Sequence, residues 1–223
     1  MTAMILDIDG TLVDTNYQHA LAWYRAFRAQ GIVLPIWRLH RHIGMGGDQF
    51  VAALTDEAIE RELGDRIRER EGHFYSQMIG EVEPMNGASE LLRALHDHGH
   101  TVVLASSAKP DEIEHYLGLL DAHELANAWT SAGDVKATKP QPDLVTAALE
   151  RVDAPPADAV MIGDSPWDVL AARRAGVQTL AVMTGGFSRE ELSQAGAVEV
   201  YESLTELKDA LEETILSGEP SRS

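Results

Sequence analysis

Two carboxylates two residues apart, Asp7 and Asp9, close a short apolar run from Ala3 to Ile8 and are followed at once by Gly10 and Thr11. An apolar run of this length bounded by turn residues suits a buried strand of a parallel sheet. Residues i and i+2 of an extended chain share a side, and Gly10 lets the backbone break away sharply. Both carboxylates are therefore expected at the carboxyl edge of a sheet, where open α/β folds hold their ligands. Like charges this close repel unless a cation or a proton lies between them, and a hard divalent ion suits such oxygen donors. A bare strand followed by an Asx-type turn is the plainer alternative.

Other segments bring further reactive side chains to similar places. The run Thr101 to Ala105 ends in Ser106 and Ser107. Lys139 precedes Pro140 in the loop 136–143, where Lys136 is a second basic candidate, and Ala159 to Ile162 leads into Gly163-Asp164-Ser165-Pro166-Trp167-Asp168. Each has a structural reading as well. Paired serines open turns, and loop lysines are usually solvated. Ser165, Pro166 and Asp168 would make a good helix start, with a serine N-cap, proline in the first position and an acid in the third. Asp164 has no capping role, whereas for Asp168 both readings stay open.

The elements that must position these residues fall into two kinds. From Asn16 to Gln30 the spacing of Ala20, Trp23, Tyr24 and Phe27 predicts a helix ending at Gly31. A long charged helix, opened by Thr55 as N-cap, carries Ile59, Leu63, Ile67, Phe74 and Met78 near one face. Between them Arg41-His42-Ile43-Gly44-Met45-Gly46-Gly47 is a glycine-rich loop. Residues 16–84 thus read as all-helical. Beyond Pro84 helices alternate with short strands as far as Val182, which predicts a parallel sheet covered on both faces. Capping boxes at Ser188/Glu191 and Ser203/Glu206 open the last two helices. A disordered tail is expected over 217–223.

The chain of 223 residues carries a formal net charge of −18 and no cysteine. Disulfide and thiolate chemistry are excluded, and a cytoplasmic location is expected. The acidic balance argues against nucleic acid as a partner. No run of about 20 apolar residues suggests a membrane span, nor does the amino end suggest a signal peptide. A monomer is expected.

Asp7-Ile8-Asp9-Gly10-Thr11-Leu12-Val13 resembles motif I of the haloacid dehalogenase-like superfamily of phosphohydrolases and phosphomutases. Ser106, Lys139-Pro140 and the Gly163–Asp168 stretch resemble its motifs II, III and IV, in order, and the helical block resembles the cap that one branch inserts after motif I. The resemblance implies an α/β fold: a Rossmann-like, doubly wound parallel core of residues 1–15 and 85–216 with a small inserted α-helical cap of residues 16–84. It implies a Mg²⁺-dependent phosphatase acting on a small-molecule phosphate ester, with Asp7 as nucleophile and Asp9 as general acid and base. Mg²⁺ would be held by Asp7, the backbone carbonyl of Asp9 and Asp164, with Asp168 assisting. Ser106, Lys139 and the amides of Gly10 and Thr11 would surround the phosphoryl oxygens. The nearest branch is that of phosphoglycolate phosphatase and β-phosphoglucomutase, in which His19 matches a histidine linked to acid–base work, and Arg41 is a candidate anion clamp. Gly47 and Glu71 depart from the mutase pattern. A sugar-phosphate mutase and a non-catalytic regulatory protein of the same fold are the alternatives.

Overall fold

The computed structural model of the protein describes residues 2–217. Six strands form one parallel sheet: β1 (Ala3–Leu6), β2 (Thr101–Ala105), β3 (Ala128–Thr130), β4 (Ala159–Gly163), β5 (Gln178–Val182) and β6 (Glu199–Tyr201), in the order β3-β2-β1-β4-β5-β6. The chain winds outward from β1 to one edge, then crosses back to β4 and winds to the other. This is the strand order of the doubly wound dinucleotide-binding folds, with its ligand crevice at the central reversal.

The strands are apolar throughout because helices cover both faces. Met4, Leu6, Val102 and Leu104 pack with α5 (Ala88–Asp97), α6 (Pro110–Leu119) and the start of α10 (Leu204–Ser217). Ala3, Ile5, Val103 and Met161 pack on the opposite face with α7 (Asp143–Arg151) and α8 (Pro166–Arg174). The alternation of residues 3 to 6 between these two layers decides which way the next side chain emerges.

Between β1 and β2 lie α1 (Asn16–Ala29), α2 (Ile36–His40), α3 (Gly47–Leu54) and α4 (Glu57–Ser76). They share an apolar cluster that includes Trp23, Phe27, Leu39, Phe50 and Ile67. Asp56, not Thr55, caps α4: its carboxylate accepts from the amides of Ala58 and Ile59 at 2.8 and 2.9 Å, while Thr55 turns its hydroxyl back to the Val51 carbonyl. α9 (Arg189–Ala195) opens with the expected Ser188/Glu191 box. Before α10 the exchange is shifted by one residue, since Glu206 accepts from the Glu202 amide while Ser203 accepts from the Glu206 amide. The expected tail lies, apart from Ser217, outside the described residues. No helix among the described residues is long and apolar enough to cross a membrane.

Candidate active site

In register, Leu6 stands between Leu104 and Ile162, so β1, β2 and β4 end side by side and deliver Asp7, Ser106 and Asp164 to one edge. The Asp7 amide extends the ladder by one bond, to the Ile162 carbonyl at 2.9 Å. Because Ala3 and Ile5 face α7 and α8, Asp7 emerges on that side. There it meets Lys139, which leads toward α7, and Asp168 in α8. The Lys139 ammonium pairs with Asp7 Oδ1 and lies 2.8 Å from Asp168 Oδ1, and all three side chains are buried. Asp168 also accepts from the Ser165 amide and hydroxyl at 3.1 and 2.6 Å. Asp168 therefore closes the capping box of α8, as the structural reading expects, and it also pairs with Lys139, a contact that neither reading anticipated.

The strand stops at Leu6, two residues short of the expected Ile8, and this separates the paired acids. The Ile8 carbonyl collects the amides of Thr11, Leu12 and Val13 in a tight turn. Asp9 consequently does not share partners with Asp7. Its Oδ1 accepts from Thr15 Oγ1 at 2.9 Å and lies 3.5 Å from His19 Nε2, while its Oδ2 accepts from Ser106 Oγ at 2.9 Å. His19 in turn places Nδ1 2.9 Å from Glu71 and stacks on Tyr75 at 3.7 Å between ring centroids. Glu71 and Tyr75 come from α4, so the second acid is tied to the helical insertion.

Asp164 is enclosed from three directions. Thr11 Oγ1 donates to its Oδ1 at 2.8 Å and Asn16 Nδ2 to its Oδ2 at 3.0 Å. A side chain on Gly185 would lie 1.6 Å from Oδ2, so only glycine admits the carboxylate there. Gly10, at φ 77°, has the Asn16 amide against its α-carbon. Its amide donates to the Val13 carbonyl and that of Thr11 to the Ile8 carbonyl. The expectation that these two amides surround a phosphoryl group is thus corrected: the turn that breaks the strand consumes them.

Ligand atoms of Asp7, Asp164 and Asp168 lie within 4.8 Å of one another, all buried. Three carboxylates against one lysine leave a local excess of negative charge, and the donors are hard oxygens, so the set fits a divalent ion such as Mg²⁺. The carboxylate of Asp9 lies outside this cluster, which leaves its backbone carbonyl as the group it could offer. Burial pushes Asp7 well above the usual carboxylate range against the pull of Lys139, with Asp168 and Asp164 adding to the rise. Burial and the charge of Asp168 raise Asp164 to about 7. For Asp9, burial alone would raise the value, but hydrogen bonds from His19, Ser106 and Thr15 and the His19 charge carry it below the ordinary carboxylate range. His19 is the converse: burial works against its charge, yet Asp9 and Glu71 lift it to about 10.

Asp7, Asp9 and Lys139 open into a cavity of about 320 Å³. Trp23, Ile43 and Met45 from the helical insertion form its apolar wall, and Arg68, Lys109 and Lys136 bring positive charge. The glycine-rich loop lies directly against the site. The Gly46 amide donates to the Lys139 carbonyl at 3.0 Å, and a Cβ on Gly44 or Gly46 would collide with Ser165 or Thr138.

The structure therefore brings together Asp7, Asp9, Thr11, His19, Ser106, Lys139, Asp164 and Asp168. Arg41 is not among them. It pairs with Glu191 and lies 4.2 Å over the Phe187 ring, tying the insertion to the core away from the cavity lining. Sequence reasoning missed Thr15, Asn16 and Gly185. The first two sit where helix-capping residues are expected, which hid their roles.

A model of the haloacid dehalogenase-like hydrolases matches residues 1–176. The chain belongs to this hydrolase family. Among similar curated proteins, the validoxylamine A 7'-phosphate phosphatase of Streptomyces hygroscopicus is 26% identical over 92% of this chain and 94% of its own length. The phosphoglycolate phosphatase of Vibrio vulnificus is 29% identical over 92% and 93%. Among solved structures, a hydrolase from Pseudomonas syringae superimposes with a TM-score of 0.90 at 36% identity, covering 96% of this chain and 99% of that one.

Proposed function

We propose that this hydrolase is a Mg²⁺-dependent phosphatase of a small phosphorylated metabolite, with residues 16–84 as a cap closing over a core of residues 1–15 and 85–216. One observation carries the reading: a buried carboxylate, Asp7, sits at a cavity floor against Lys139, with Asp164 beside it and a second, separately held acid, Asp9, within the same cavity. The phosphatase names of the two curated relatives support it.

An Asp7 oxygen attacks phosphorus, the ester P–O bond breaks, and an aspartyl-phosphate forms. Asp9 gives its proton to the departing oxygen. Water then attacks phosphorus, Asp9 takes a proton from it, and the bond to Asp7 breaks to release phosphate. As an anion held by His19, Thr15 and Ser106, Asp9 stands here in the form that the hydrolytic half needs, and its protonated form gives up the attraction of the His19 charge. Asp7, the Asp9 carbonyl and Asp164 would hold Mg²⁺, which when bound screens the approach of an anionic nucleophile to an anionic phosphoryl group. Lys139 holds Asp7 in place and supplies positive charge at the phosphoryl oxygens. Ser106, through its bond to Asp9, orients the acid.

The test is phosphate release from sugar phosphates, phosphoglycolate and nucleotides, with Mg²⁺ or chelator, using Asp7→Asn as the blank. Metal-dependent release absent from the blank is expected. Folded protein that releases phosphate from none of them, and instead returns isomerised sugar phosphate, would contradict hydrolysis and favour the mutase.

A further inference from the structure

Asn16 is buried in the first turn of α1, at 2% exposure, and its amide orientation is dictated by its surroundings. Nδ2 faces two acceptors, Asp164 Oδ2 at 3.0 Å and the Gly185 carbonyl at 3.3 Å, whereas the buried Oδ1 has no hydrogen-bond partner. Turning the amide over would set its oxygen against two other oxygens. A buried polar atom left unmatched is costly, so the side chain gives up Oδ1 to keep Nδ2 on the carboxylate and the carbonyl. Gly10 reinforces the arrangement, since any Cβ there would fall 2.2 Å from Nδ2.

The Gly185 carbonyl has a second donor. His40 Nε2 lies 3.2 Å from it and must carry its hydrogen, since a carbonyl only accepts. His40 closes α2 of the helical insertion, stacked between Tyr17 at 4.9 Å and Phe187 at 5.8 Å. One carbonyl of the core thus joins a histidine of the insertion to the amide that holds Asp164.

We propose that Asn16 is a positioning residue for Asp164, and that the shared Gly185 carbonyl couples it to His40, so that docking of the insertion fixes the metal-binding carboxylate. Asp164 has both oxygens tied, one by Thr11 and one by Asn16, and of the two only Asn16, the first residue of the insertion, also reaches the carbonyl that His40 bonds. Groups that orient a metal ligand typically change metal affinity 10–100-fold when removed. The inference rests on the metal site of the proposed function.

The experiment is Mn²⁺ binding to the full chain, read by electron paramagnetic resonance without substrate, for wild type, Asn16→Ala, His40→Ala, His40→Gln and the Asn16→Ala/His40→Ala double variant. Wild type should bind Mn²⁺. Asn16→Ala should weaken binding on the order of 10–100-fold while circular dichroism shows the fold retained. His40→Ala should weaken it less, and His40→Gln, which can still donate to the carbonyl, should restore it. The double variant should be no weaker than Asn16→Ala alone, because His40 reaches Asp164 only through the Gly185 carbonyl and Asn16. Mn²⁺ affinity unchanged in Asn16→Ala would overturn the positioning role, and additive losses in the double variant would overturn the coupling. If Asn16→Ala fails to fold, the contrast between His40→Ala and His40→Gln decides the coupling by itself. A wild type that takes up no Mn²⁺ would refute the metal site itself, a failure distinct from the others.

Discussion

Replacing Lys139 by methionine removes a charge from the middle of the molecule with little change in volume. The Lys139 side chain is 1% exposed and its ammonium pairs with both Asp7 and Asp168, themselves 2% and 0% exposed at the side chain. Taking away one partner of a buried ion pair strands the other charge and costs about 3–5 kcal/mol. For a chain of this size about 2–4 °C of melting temperature goes with each kcal/mol, so Lys139→Met should melt about 6–20 °C below wild type in chelator. Methionine fills the channel left by the lysine stem, which assigns the loss to charge and not to a cavity. Adding Mg²⁺ should raise the variant's melting temperature more than the wild type's, because the cation enters a cluster with no other positive charge to offset Asp7 and Asp168. Turnover should fall on the order of 10²–10³-fold, as when one fixed donor to a developing charge is lost. Thermal melts followed by circular dichroism, with and without Mg²⁺, make the measurement. A variant as stable as wild type in chelator would refute the buried triad.

Asp7→Asn should leave the fold intact and lower turnover on the order of 10⁶-fold, the scale of losing a nucleophile, as checked by phosphate release. Asp56→Ala should cost about 1 kcal/mol by removing the cap of α4, seen as a lower melting temperature with turnover unchanged. His19, raised to about 10, contributes stability that is fully present below its ordinary value of 6.5 and is lost as pH rises through about 10. Glu71→Gln should lower that upper limit, which an NMR titration of the His19 ring would show.

The reactive residues were legible because parallel strands concentrate them: apolar runs announced β1, β2 and β4, and whatever polar residue ended each run had to lie at the shared edge. What stayed hidden depends on neighbours remote in the chain. Asn16 gains its meaning from Gly185, 169 positions away, and reads in isolation as the start of a helix. The acids Asp7 and Asp9 read as a pair sharing one side, until the turn on the Ile8 carbonyl ends the strand early and sends them to different partners. β6 has only three residues, with Glu199 exposed at the edge, too few for an alternation to register. The choice between Thr55 and Asp56 as cap turns on one position, finer than helix ends can be read from residue types. Arg41 suggested an anion clamp by its charge, but Glu191 and Phe187 supply the partners it takes.

In the proposed mechanism Asp7 carries the phosphoryl group during turnover. Acid quench of the working enzyme within its first turnover, followed by peptide mass spectrometry, tests it most directly. A phosphoryl adduct on the peptide bearing Asp7, absent in Asp7→Asn and lost on longer incubation with water, is the predicted result. Phosphate released at full rate with no adduct at Asp7, or with the adduct on another residue, would contradict the account.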